Sequence, residues 1–266
     1  MRIGFLCGGT LGDFERTVIE LVDDSFDSKI VLGIIDNRYF SLISRVKKHL
    51  KRGRGGYIFL MAIKYLFQKQ RPHYSSNDWF RDRDIPVVVT RDVYSKNTLH
   101  LISENNIDVL CLIGGFGIIK RSLLEIANYG VLSYHHGDMR YYRGMPPAFW
   151  ELYHGETRMG VTVQRLSIGL DKGVPIIEMS VPIHMNDTLR SLRNRAFSMS
   201  TNMMTKAIGL LKTGEFQYLK QYGPLYTIPN FRQWTVLNIK IFFRHIRFYL
   251  ARIAELIAVS YQRFLS

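Results

Sequence analysis

Hydrophobic positions along the chain fall into short unbroken runs separated by stretches of helical spacing. RIGFLCGG reads as a strand ending in a glycine turn, and TLGDFERTVIELV continues as a helix with Phe14, Val18, Ile19 and Val22 on one stripe. Thr10 with Asp13 resembles a capping box at its start. KIVLGIID (29–36), IPVVVT and IDVLCLIGGFGII repeat the strand pattern, with SKNTLHLISENN as a short capped helix between the last two. IKRSLLEIANYG reads as a helix closed by Gly130, and VLSY as a fifth strand. Continuous apolar runs alternating with helices predict an α/β, Rossmann-like fold, a mostly parallel sheet with helices on both faces.

The pattern then changes. PPAFWELYHG reads as a helix with Pro146 or Pro147 in its first turn and Gly155 past its end. GVTVQRL and VPIIEMSVPI are expected as an antiparallel pair joined by the turn IGLDKG. NDTLRSLRNRAFSMSTNMMTKAIGLLKTG reads as one long amphipathic helix capped near Asp187, with Leu189, Leu192, Ala196, Met199, Met203, Ala207 and Leu210 as a core stripe. These elements divide the chain into an α/β domain over 1–228, carrying a basic helical insertion at 41–75, and a basic amphipathic helical extension over 229–266.

Charge sharpens that division. The net charge of +14 is concentrated in two segments: 41–71 holds nine Lys or Arg and no acid, and 232–266 holds six basic residues against Glu255. The remaining chain is neutral. The two segments read either as helices lying on an anionic membrane surface or as helices packed on the body or a second subunit. Cys7 and Cys111 fall inside apolar strands, which predicts buried reduced thiols and a reducing compartment. The apolar stretch at the start is too short for a secretory signal, so the expectation is cytoplasmic, with peripheral membrane contact through the basic segments left open.

The stretch SYHHGDMRYYRG (133–144) is too polar for core and follows a hydrophobic strand, the end of an α/β sheet at which ligands bind. Side chains alternate along a strand, so His135 and His136 point in opposite directions and only one of them faces a given site. His136 is expected to face solvent or a neighbouring loop. No spaced His/Asp/Glu set accompanies them, so no metal site is expected. The remaining chemistry pairs one histidine with a distant carboxylate. Asp171, in the glycine-flanked turn GLDKG, is the candidate; taken on spacing alone it reads equally as a turn residue. Gly9 and Thr10, at a helix start, read either as a packing turn or as a phosphate cradle.

The order of these motifs resembles the formyltransferases that use 10-formyltetrahydrofolate, a likeness covering about residues 1–215. His135 falls on that family's catalytic histidine, Tyr142 to Gly144 on its Tyr-Arg-Gly, Asp171 on its catalytic aspartate, and Gly115, Phe116 and Gly117 on the segment lining the folate pocket. The resemblance implies the formyltransferase fold, 10-formyltetrahydrofolate as co-substrate, and Ile118 and Gly169 beside it. Two departures stand out: the family's catalytic Asn is Ser133, and its Ser-Leu-Leu-Pro is Gly137, Asp138, Met139 and Arg140. A serine offers one donor where a carboxamide offers two.

Arg140 and Arg143 beside the site suit an anionic, phosphate-bearing amine acceptor. The run RGMPPAFW, with Trp150 in register, resembles family members acting on nucleotide-linked amino sugars. Helical periodicity over 230–266, in place of the β-barrel of initiator-tRNA formyltransferases, favours the amino sugar over tRNA. RNA binding through the basic segments, a homodimer, a formyltetrahydrofolate hydrolase and a catalytically inert binding protein are the alternatives left open.

Overall fold

The computed structural model describes residues 1–38, 46–47, 50–51, 74–114, 116, 118–168, 172–214, 216 and 218–265. Most of the basic insertion therefore lies outside the described residues. Its last two positions, Tyr74–Ser75 (β4), form a small antiparallel ladder with Thr10–Leu11 (β2).

The apolar runs become the strands of one sheet. β1 (Arg2–Gly8) is central; β3 (Lys29–Asp36) and β5 (Val87–Thr90) lie to one side, β6 (Val109–Leu112) and β7 (Val131–His135) to the other, all parallel. β9 (Arg158–Arg165) joins β7 antiparallel, and β10 (Val174–Pro182) pairs antiparallel with β9, as the two later runs predict. The order is β10-β9-β7-β6-β1-β3-β5. The strand order reverses at β1, which puts the ligand-binding crevice of such sheets at the carboxyl ends of β1 and β6.

Alternation along the strands divides the core between two faces. Ile3, Phe5 and Cys7 pack with Val18, Ile19 and Val22 of α1 (Asp13–Asp23) on one; Leu6 and Leu110 pack with Ile102 of α3 (Lys96–Glu104) and Leu123 of α4 (Arg121–Leu124) on the other. α2 (Ser76–Arg81) supplies the buried Phe80 to the first face. Both cysteines are buried and free, and burial pushes the Cys7 thiol up to about 12.

Several element boundaries differ from the sequence pattern. The expected capping box is displaced: Gly12 is the N-cap of α1, and Glu15 reaches back to accept from its N–H at 3.1 Å. α4 is a single turn, because the chain must bend back to Gly130 in left-handed conformation (φ +77°). Pro146 and Pro147 precede α5 (Phe149–His154) rather than entering it, and Gly155 ends it at φ +82°.

The long amphipathic helix is two helices, α6 (Leu189–Ser200) and α7 (Met203–Leu211). The break is organised by a buried tyrosine. The Tyr134 hydroxyl donates to the carbonyl of Ser200 at 2.8 Å and accepts from the Met204 N–H at 3.0 Å, substituting for backbone pairing that a continuous helix would make. The cap of α6 is Thr188, while Asp187 is buried and paired with Arg195. α8 (Phe231–Leu265) is the expected helix near the carboxyl end, seated on α5 through Trp234 against Phe149 (4.8 Å between centroids) and the buried Leu237.

Candidate active site

Strand β7 presents its residues to two different environments. Val131 belongs to the α3/α4 side, and Ser133 and His135 follow on that side of the strand; Leu132, Tyr134 and His136 face α1 and α6. The two histidines therefore part, as alternation requires.

His135 is buried at the carboxyl end of β7, and its Nε2 lies 2.7 Å from the Tyr142 carbonyl oxygen. A carbonyl only accepts, so Nε2 carries a proton. The contact depends on Gly137: a Cβ there would stand 2.7 Å from His135 Nε2 and 2.8 Å from the Tyr142 oxygen. The buried Thr162, paired with His135 across β9, donates to the Gly137 carbonyl at 3.2 Å and fixes the turn.

His136 does not face solvent. Its ring lies among Phe197 (4.2 Å), Phe14 (5.5 Å) and Tyr134 (5.6 Å), and its Nε2 is sealed off with no partner among the described residues. Burial, with the neighbouring His135, lowers its pKa to about 3, so it is a neutral packing ring. Adjacent polar residues gave no sign that one of them would close an aromatic box built from α1 and α6.

Beyond His135 the chain forms one wall of a cleft of about 510 Å³, with Gly160, Thr162, Glu178 and Ser180 of the antiparallel strands as its floor. Arg140 lies in this wall, held by Asp138 (2.9 Å) and Glu178 (2.8 Å), and Arg158 donates to Ser180 Oγ. The cleft thus carries both signs of charge. Tyr142 donates to Glu156 at 2.8 Å.

Arg143 and Gly144 form β8, a short parallel ladder with β11 (Leu225–Tyr226). Gly144 has φ +93°, and a Cβ would overlap the Tyr226 carbonyl. The Arg143 guanidinium sits 5.9 Å from the Tyr222 ring. Trp150 is buried, stacked on Tyr226 at 4.8 Å, with its N–H on the Met145 carbonyl. It supports the loop from below and does not line the cleft.

Asp171, Gly169, Gly115 and Gly117 lie outside the described residues. The base of the turn that carries Asp171 is described, and it is pinned three ways. The Gly173 N–H donates to the buried Gln164 side chain at 3.1 Å, Tyr222 donates to the Gly173 carbonyl at 3.0 Å, and Ser167 to the Lys172 carbonyl at 2.8 Å. Gln164 is itself the β9 partner of Ser133, so the turn starts beside the strand that bears His135. Gln164 and Tyr222 carry no motif signal.

At the switch point, a Cβ on Gly8, Gly9 or Gly114 would meet no atom of the described residues within 4 Å, so these residues leave space at the ends of β1 and β6. Phe116 is half-buried and Ile118 exposed beside that space, with Arg38 6.0 Å from the Phe116 ring. The Gly8 and Gly9 carbonyls are bound by the side chain and N–H of Ser76, and Glu15 covers the Gly12 N–H, so Gly9 bends the chain into β2, which starts at Thr10, and the neighbouring helix start already holds a carboxylate. Among the described residues no group of three or more His, Cys, Asp or Glu is placed to hold a metal, and no helix is long and apolar enough to cross a membrane.

A doubly wound sheet with a buried histidine at the carboxyl end of β7, a cleft beyond it and an antiparallel pair on that flank defines the class. A model described as formyl transferase matches residues 63–208, more than half of the chain, and the chain belongs to that family. It is similar to the methionyl-tRNA formyltransferase of Alkaliphilus oremlandii, 27% identical over 150 residues that cover 54% of this chain and 48% of that protein. The chain spans about half the length of the curated relatives it matches. Its fold is that of glycinamide ribonucleotide transformylase 1 from Symbiobacterium toebii (TM-score 0.57, 17% identity, 85% of this chain and 94% of that one). It is equally that of the N-formyltransferase from Helicobacter canadensis solved with folinic acid and dTDP-3-aminofucose (TM-score 0.54, 16% identity, 85% of this chain and 71% of that one).

Proposed function

We propose that the chain transfers a formyl group from 10-formyltetrahydrofolate to a primary amine, with a nucleotide-linked amino sugar as the acceptor class. The observation that carries the reading is the buried His135 imidazole at the carboxyl end of β7, anchored through Nε2 on the Tyr142 carbonyl. The open space at Gly8, Gly9 and Gly114 fits a bulky co-substrate at the switch point. That co-substrate supplies the formyl carbon and the nitrogen from which it departs. The amine forms the new C–N bond, the old one breaks, and the proton lost by the amine ends on the departing nitrogen.

The chain's part is to hold charge in place. Because Nε2–H is committed to a carbonyl, His135 donates from Nδ1 only as an imidazolium, which then stabilises the oxyanion on the formyl oxygen. Asp171 is the carboxylate that keeps the ring charged, on a turn whose base Gln164, Tyr222 and Ser167 fix. Ser133, on the same side of β7, is the second and weaker donor. Glu156 and Glu178 suit an ammonium, and Arg140 and Arg158 suit phosphates, so the mixed cleft supports an acceptor bearing both. The Helicobacter canadensis enzyme, of the same fold, was solved with such a sugar nucleotide.

The test is a product balance with 10-formyltetrahydrofolate, with and without a dTDP-linked amino sugar. Equal amounts of tetrahydrofolate and formylated sugar, and no turnover without amine, are expected. Formate released without amine would make the protein a hydrolase, absence of any turnover a binding protein, and preference for methionyl-tRNA would move the acceptor to RNA.

A further inference from the structure

Helix α8 has two halves with different surroundings. Residues 231–245 are fastened to the body: Leu237 is buried, Lys240 donates to the Tyr153 carbonyl, Arg244 to that of His184, and the His245 ring to that of Asn186. From 249 to 260 every residue is exposed. At 1.5 Å per residue, the part beyond His245 extends about 30 Å along the helix axis.

Its exposed residues are ordered. Ile246, Tyr249, Leu250, Ile253, Leu256 and Ile257 recur at helical spacing within an arc of about 120° and are 38% to 64% exposed. Arg247 and Arg252 flank that arc, and Glu255, paired with Arg252 at 3.7 Å, lies on the far side. A second copy laid on the stripe would offer no acid to these cations, since the segment's single acid faces away. A surface of anionic lipid headgroups would offer one to each, with acyl chains for the aromatic and branched side chains.

We infer that the projecting half of α8 is a membrane-surface helix that docks the protein on anionic lipid. Ile246 to Ile257 enter the headgroup boundary and Arg247 and Arg252 lie against the headgroups. The fastened half sets the orientation of the body relative to that surface.

The experiment is sedimentation of the full chain with vesicles of phosphatidylcholine alone and of phosphatidylcholine with one quarter phosphatidylserine. At least tenfold stronger binding to the anionic vesicles is expected, falling severalfold in 0.5 M salt because the attraction is screened. I246S/L250S/I253S should lose the binding at unchanged melting temperature, and R247E/R252E should lose the preference for anionic lipid. Failure to bind either vesicle overturns the inference, as does equal binding to both. A vesicle-independent dimer abolished by the triple substitution would assign the stripe to a second copy instead.

Discussion

The His135 ring is hydrogen-bonded through Nε2 to the Tyr142 carbonyl seven residues later, and Gly137 lies against both, with no room for a Cβ. A strand end, a turn and a ring are thereby locked as one unit. Gly137→Ala puts a methyl within 2.8 Å of both partners and must displace the ring or the turn. Turnover is expected to fall at least tenfold, with a melting temperature shifted by only a few degrees. Wild-type turnover in G137A would dissociate this contact from function.

Ser133 reaches less far than the carboxamide the family resemblance places there. Loss of one oxyanion donor costs about 3 kcal/mol, on the order of a hundredfold in rate. Ser133→Asn is therefore expected to raise kcat by one to two orders of magnitude with little change in KM for the folate. An unchanged kcat would show that this position makes no transition-state hydrogen bond.

Tyr134 holds α6 and α7 apart at their junction through its hydroxyl. Tyr134→Phe leaves a carbonyl and an N–H without that partner, which costs about 1–3 kcal/mol. Denaturant unfolding should register the loss at unchanged m-value. Equal stability of the variant would mean the helix break persists without the hydroxyl.

Glu151 is buried at 2% exposure, and burial raises its carboxyl to about 7. The folded state then holds a proton the unfolded chain releases near the ordinary carboxylate value, so stability falls as pH rises through roughly 4.5 to 7. Glu151→Gln removes that dependence. A gain on the order of 2–3 kcal/mol at pH 8, and almost none at pH 4, is the expected difference in unfolding free energy.

His136 gives the opposite slope. Its folded pKa lies below the unfolded one, so the chain loses stability as pH falls from about 6.5 toward 3. His136→Phe should move the midpoint of acid unfolding downward; an identical midpoint would place the ring in water.

The sheet was legible because buried parallel strands read as unbroken apolar runs, and the antiparallel pair because the glycine turn between them is short. The split at Ser200 was not legible: the stripe from Leu189 to Leu210 is continuous, and the cause of the break is a hydroxyl more than sixty residues away. Strand alternation parts His135 from His136, but which of the two faces the site comes from the family resemblance and not from the strand pattern. The burial of His136 does not follow from that pattern, since it depends on Phe14 and Phe197, which periodicity assigns only to a core. Gln164 and Tyr222, which brace the Asp171 turn, act through contacts that no local pattern announces.

The most direct measurement is the single-turnover rate of formyl transfer in His135→Asn beside the wild type, with folate affinity measured on the same preparations. A rate lower by at least a thousandfold at unchanged affinity is expected if this imidazole carries the oxyanion charge. Transfer at close to the wild-type rate would contradict the role given to His135 and move the chemistry elsewhere in the molecule.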